Sequence, residues 1–162
     1  MNKNTVQRFE LADFLLQYDY ETYILLCRNL KDGRNLWIRK IEDGGYILEV
    51  QEDGARIYIN LESDEKSGQF LVLSKTDGST CWFIPGRAFM CRLFLDSVFL
   101  IFADEIDNFF LIKISADNGE KIWHHAVNTG LSHYTINSRE VVLEYMDENV
   151  EILNSSTGLS VK

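Results

Sequence analysis

A chain of 162 residues, 46% apolar and 12% aromatic, has the length of one domain and too much apolar surface to stay disordered. Its 25 acidic residues against 16 basic ones give a net charge of −9, which opposes binding to nucleic-acid phosphates and to anionic membranes. The start, Met1-Asn2-Lys3-Asn4 running into Phe9-Glu10-Leu11-Ala12-Asp13, has no apolar leader, and no uncharged stretch approaches the length of a membrane span, so a cytoplasmic location is expected.

In chain order, a first repeat spans Val6 to Ile41, within which Phe9 to Leu16 allows one short helical turn. The second reads as four strands: Tyr46 to Val50, a turn at Glu52-Asp53-Gly54, Arg56 to Leu61, Gln69 to Leu73, a turn at Thr76-Asp77-Gly78, and Cys81 to Ile84. The third gives the same order, with Phe89 to Leu95, Val98 to Phe102, Phe109 to Ile114, a turn at Asp117-Asn118-Gly119, and Lys121 to His125. The fourth runs from His133 to Lys162, with Lys162 standing where tryptophan is expected.

One turn marks each repeat: Asp32-Gly33 with Trp37, Asp77-Gly78 with Trp82, Asn118-Gly119 with Trp123, and Thr157-Gly158. Tryptophan follows glycine by four residues in the first three, and the glycines step by 45, 41 and 39. A turn and an aromatic every forty or so residues indicate a radial array of β-meanders. The expected fold is all-β: four antiparallel four-stranded units, at about 5–41, 45–85, 88–127 and 132–162, forming a small β-propeller as a single domain over 1–162. A β-sandwich, or half of a larger propeller completed by a second copy, is the alternative. The tryptophans at this fixed position are expected to fill space between neighbouring sheets, each with an N–H partner. Cys27, Cys81 and Cys91 show no CxxC spacing, and Cys27 and Cys81 sit in apolar runs, which predicts buried free thiols.

The segments from Phe70 to Trp82 and from Phe109 to Trp123 each read as an apolar strand, a short polar turn ending in glycine, and a strand carrying tryptophan. In this they resemble the quinoprotein (PQQ-like) propeller repeat. That resemblance implies the propeller fold. It does not bring the cofactor, because the chain lacks the vicinal cysteine pair and the metal-ligand set of the quinoprotein dehydrogenases, which have roughly double the number of blades.

If the strands run outward from an axis, the turns between second and third strands share one face. They carry Asp19 and Glu21; Glu62, Asp64 and Glu65; Asp104, Glu105 and Asp107; and Asp147 and Glu148, ten of the 25 acidic residues. The connection Glu42-Asp43 raises this to twelve, while the opposite turns, such as Lys31-Asp32-Gly33-Arg34, nearly cancel in charge. Clustered carboxylates focus a negative potential that draws cationic partners, with Tyr20, Phe109 and Tyr145 as candidate aromatic anchors. Taken one at a time, acidic residues in turns are ordinary turn formers.

Catalytic and cofactor signals are missing. Asp104 to Asn108 lacks the alternating ligands and glycine of a calcium loop, His124 and His125 would point to opposite faces of a strand, and no phosphate-cradling glycine loop is present. No metal, cofactor or catalytic residue is expected. The expected function is non-enzymatic protein binding, as an acidic inhibitor or immunity-type protein holding a basic toxin or nuclease; a small-ligand or carbohydrate-binding propeller, an enzyme subunit, and a structural module in a larger ring or homodimer are the alternatives.

Overall fold

The computed structural model describes residues 4–161; Met1, Asn2, Lys3 and Lys162, the last standing where a fourth tryptophan was expected, lie outside the described residues. Among the described residues the chain is all-β without a helix. The first sheet holds β1 (Val6–Glu10), β2 (Phe14–Asp19), β3 (Ile24–Asn29) and β4 (Asn35–Lys40), and the second β5 (Tyr46–Glu52), β6 (Arg56–Glu62), β7 (Gly68–Ser74) and β8 (Thr80–Pro85). The third holds β9 (Arg87–Phe94), β10 (Ser97–Ala103), β11 (Phe109–Ser115) and β12 (Lys121–Val127), and the fourth β13 (Leu131–Ile136), β14 (Glu140–Tyr145) and β15 (Val150–Asn154). Every sheet is an antiparallel meander in sequence order. In the fourth, the outer position is held by one bridge, Leu153 to Ser160, and by Val161 N–H donating to the Ile152 carbonyl at 2.7 Å.

The chain divides into two compact halves, Met1–Arg87 with the first two sheets and Ala88–Lys162 with the last two. The core of the N-terminal half gathers Leu16, Tyr18, Leu25, Ile57, Ile59 and Leu71, all at most 4% exposed. In the C-terminal half, Phe99, Leu111, Tyr134, Val141, Leu143 and Leu153 do the same.

The outer hairpin of each sheet closes in one way, and this explains the repeated spacing. Gly33, Gly78, Gly119 and Gly158 have φ between 70° and 76°, and their N–H groups donate to the carbonyls of Asn29, Ser74, Ser115 and Asn154 at 2.8–2.9 Å. In the three complete sheets the strand register slips one residue beyond the turn, at Cys27/Arg28, Val72/Leu73 and Lys113/Ile114. This is a tight turn ending in a left-handed residue and a bulge, a geometry that glycine adopts without steric penalty. The bulge sets the parity of the next strand, so the residue four beyond glycine turns inward: Trp37, Trp82 and Trp123 are 7–8% exposed.

Within each half that tryptophan locks onto the next sheet. Trp37 Nε1 donates to the Lys75 carbonyl at 2.9 Å, and its ring covers Gly78; Trp123 Nε1 donates to the Ser155 carbonyl at 2.9 Å, and its ring covers Gly158. The N-terminal half adds a reciprocal pair, Gln7 Nε2 to the Ile47 carbonyl and Ile47 N–H to Gln7 Oε1, and the Tyr18 hydroxyl donates to the Gly45 carbonyl at 2.9 Å.

Two expectations are corrected. Phe9 to Leu16 is not a helical turn: Glu10 pairs with Leu15 across a tight turn in which Leu11 N–H donates to the Phe14 carbonyl, so the apolar spacing belongs to two strands. Cys81 is exposed, because it neighbours inward-facing Trp82 and strand alternation turns it outward, whereas Cys27 and Cys91 are buried and burial pushes the Cys27 thiol up to about 11.

A half-buried polar cluster ties the β5–β6 turn. Asp53 accepts from the Tyr58 hydroxyl, from the N–H groups of Ala55 and Arg56, and from the Arg56 guanidinium at 3.3 Å. Desolvation acts to raise the Asp53 carboxyl, and these donors outweigh it, holding it below the ordinary 3.8. A depressed carboxylate adds stability that is complete above its unfolded value and is lost as pH falls through the folded one. Asp53→Asn is therefore expected to lower the urea midpoint near neutral pH, and the gap from wild type should narrow as pH falls below the ordinary 3.8. A gap that is constant across this range would contradict the assignment.

Candidate functional site

The C-terminal half brings three connections to one end: the β10–β11 turn (104–108), the β12–β13 link (128–130) and the β14–β15 turn (146–149). A backbone bond joins the last two, with Met146 N–H donating to the Gly130 carbonyl at 2.8 Å, and the link is itself closed by Leu131 N–H donating to the Asn128 carbonyl at 3.3 Å. An apolar recess of about 370 Å³ opens here, walled by Phe89, Met90, Ile101, Phe109, Val127 and Leu131 with Asn128 and Thr129 at its side. Two further hollows share Asn128 and Thr129 with it. One carries Asp107, and the other, of about 470 Å³, carries Tyr145, Met146, Asp147 and Glu151. The three adjoin at Asn128 and Thr129 as one trough, with an apolar compartment and two compartments that bear carboxylates.

No lysine, arginine or histidine occurs in 103–109, 127–131 or 145–150, so nothing in these segments cancels Asp104, Glu105, Asp107, Asp147 and Glu148. Burial pushes the Tyr145 phenol above its ordinary value, and Glu151 and Asp147 add to the shift, outweighing a backbone hydrogen bond from Asn128. The turns at the other end of these sheets do carry bases, among them Lys121 and Arg139. Two large apolar side chains stand at the tips of the acidic turns, Ile106 at 79% and Met146 at 78% exposed. Hairpin tips favour polar residues, so this is a place where local turn chemistry has been overridden.

Some of the predicted acids are spent on shaping turns. Asp104 Oδ1 accepts from the N–H groups of Ile106 and Asn108 and Oδ2 from Asn108 Nδ2; Asp147 accepts from the N–H and side-chain amide of Asn149 in the same way. Asp64 accepts from Lys66 N–H and the Ser67 hydroxyl, and these bonds hold its carboxyl below the ordinary value. These three keep their charge at the surface while fixing the loop. Asp19 does not: only 3% exposed, it accepts from Glu21 N–H at 3.0 Å and bonds Thr5 and Thr22, so it is a buried turn residue and not a contact surface for a partner.

In the N-terminal half, Glu21, Glu42, Asp43, Glu62, Asp64 and Glu65 also share one end. The Tyr23 ring covers Gly44, Gly45 lies against the Glu62 carbonyl, and Gln69 Nε2 donates to the Glu42 carbonyl at 2.8 Å. A hollow of about 400 Å³ lies among Tyr46, Leu48, Glu62, Ser63, Asp64 and Glu65. Lys66 stands in the same turn and Arg87 donates to the Glu65 carbonyl at 3.1 Å, so this end is less uniformly acidic. Tyr20 is engaged within the fold, its ring 5.5 Å from that of Tyr46 and its hydroxyl donating to the Asn4 carbonyl. Phe109 and Tyr145, by contrast, both face hollows of the trough. The walls Phe89, Met90, Ile101, Val127 and Leu131, and the link Asn128-Thr129, were not visible from sequence. The one available sign was apolar Ile106 and Met146 inside acidic turns.

The histidines serve packing and pairing. His125 Nε2 lies 3.0 Å from Glu151 Oε1, His133 pairs with Glu144, and His124 meets the Phe110 ring edge-on.

No protein-family model matches the sequence, and no curated protein matches it. Solved structures do. BamB from Moraxella catarrhalis is 18% identical with a TM-score of 0.62, over 100% of this chain and 48% of that one. The computationally designed Ika4 protein is 9% identical with a TM-score of 0.67, over 95% and 93%. The Cps50 (Swd1) β-propeller domain from Myceliophteria thermophila is 11% identical with a TM-score of 0.53, over 88% and 50%. The chain thus spans about half the length of BamB. At these identities the likeness bears on architecture alone, and it shows that the chain has a small propeller-type fold of antiparallel meanders.

Proposed function

We propose that this protein is a non-enzymatic protein-binding module that captures a basic protein at the acidic end of its C-terminal half, as an inhibitor or immunity-type protein captures a toxin or nuclease. The observation that carries the reading is an apolar recess bordered by carboxylates in segments without a single base. Binding hot spots combine this kind of desolvated apolar centre with a polar rim, and a one-sign rim speeds encounter with the opposite charge. A second copy of this chain, at −9, is repelled by the same rim.

The test passes lysate of the source cells over immobilised wild type and over a Glu105→Lys, Glu148→Lys variant, at low and high salt. The expected result is a protein of high isoelectric point retained by wild type at low salt, released by high salt and not retained by the variant. Equal retention on both would contradict the reading. The recess volume favours a second reading, a small apolar ligand, and that binding would be indifferent to the charge reversal.

A further inference from the structure

We infer that the apolar recess receives one aromatic or large aliphatic side chain from a basic segment of the partner, with lysine or arginine on either side of it lying toward Asp107 and Asp147. This rests on the docking reading above and names what is docked. Three features of the trough define the occupant. The apolar compartment is walled by six apolar side chains from β9 to β13, so a charged group placed there would lose its hydration without a counter-charge. The flanking hollows are walled by carboxylates and by Asn128 and Thr129, so an uninterrupted apolar segment would leave those groups desolvated. A cation–apolar–cation segment meets all three compartments with matching chemistry.

The apolar compartment, at about 370 Å³, lies at the small end of pockets that enclose ligands, which suits a single anchoring side chain. Thr129 is exposed at its mouth and Phe109 lies 6.3 Å, ring to ring, from Phe89 within it, so the entrance and the wall are separately addressable.

The test is a titration of the full chain, followed by amide NMR shifts, with two probes: pentalysine, and the same peptide with phenylalanine in place of its central lysine. The inference expects both to shift the resonances of 104–108 and 146–149. Only the phenylalanine peptide should shift Phe89, Ile101 and Leu131, and it should bind roughly ten- to a hundredfold more tightly despite its lower charge. Thr129→Trp, a substitution at an exposed position that narrows the mouth, should remove that advantage. If both peptides shift the acidic turns with equal affinity and the recess stays silent, the anchoring inference fails while the docking reading stands. If neither peptide shifts the acidic turns, the docking reading fails as well.

Discussion

Alanine at Gly78 or Gly158 is expected to destabilise the protein by about 2–5 kcal/mol, against about 1 kcal/mol for alanine at Gly33. The three glycines have the same left-handed backbone, with φ of 72°, 71° and 70°, so the strain of placing a Cβ on that backbone is common to all. What differs is the space around them. A Cβ at Gly78 would stand 2.4 Å from the Trp37 ring and one at Gly158 2.5 Å from the Trp123 ring, while a Cβ at Gly33 meets nothing within 4 Å. A ring forced off its glycine also loses alignment with the carbonyl it bonds, Lys75 or Ser155. Set against a total stability of roughly 5–15 kcal/mol, the larger loss leaves the affected half marginal. Urea unfolding followed by far-ultraviolet circular dichroism measures all three. Equal losses at the three glycines would show that the tryptophans do not bear on them.

The second large effect is at Trp123 itself. Truncation to alanine should cost about 3–5 kcal/mol, since it empties a site between two sheets of the C-terminal half and removes the edge-on contact with Phe99 at 5.9 Å. Trp123→Phe should cost less, about 1–2 kcal/mol, because a smaller ring remains and the Ser155 carbonyl keeps its second donor, Lys113 Nζ at 2.9 Å. A phenylalanine variant as unstable as the alanine one would mean that the indole N–H, and not ring packing, holds the two sheets together.

These two effects concern the part of the molecule that was most legible in the sequence. Glycine spacing and the tryptophan four residues later are local chemistry: a left-handed residue, a bulge and a fixed parity, each confined to a few neighbouring positions. That is why four meanders could be counted and their acidic hairpins identified. At Cys81 inference from the apolar run failed beside that same marker, because its neighbour Trp82 occupies the inward position and turns Cys81 outward. The reading of Phe9 to Leu16 failed because apolar residues spaced as on a helix also arise when two strands meet at a three-residue turn. Asp19 shows a different limit: like Asp64 and Asp147 it lies where a second strand meets its hairpin, yet it is buried and hydrogen-bonded to Thr5 and Thr22. The trough depends on the path of the 128–130 link past Phe109 and Leu131, which join across long sequence separations and leave no local pattern.

On the proposed reading, the acidic end of the C-terminal half draws in cations and holds them through an apolar centre. The segments that carry its rim contain no lysine, arginine or histidine, and the recess between them is walled by apolar side chains.

The measurement that bears most directly on this claim is the association rate of the captured basic partner with the immobilised protein across ionic strength, for wild type and for Glu105→Lys, Glu148→Lys. A rate that falls steeply as salt rises, with the double reversal slowing association roughly tenfold at low salt and flattening the dependence, is the predicted result. An association rate that responds to neither salt nor charge reversal would contradict it.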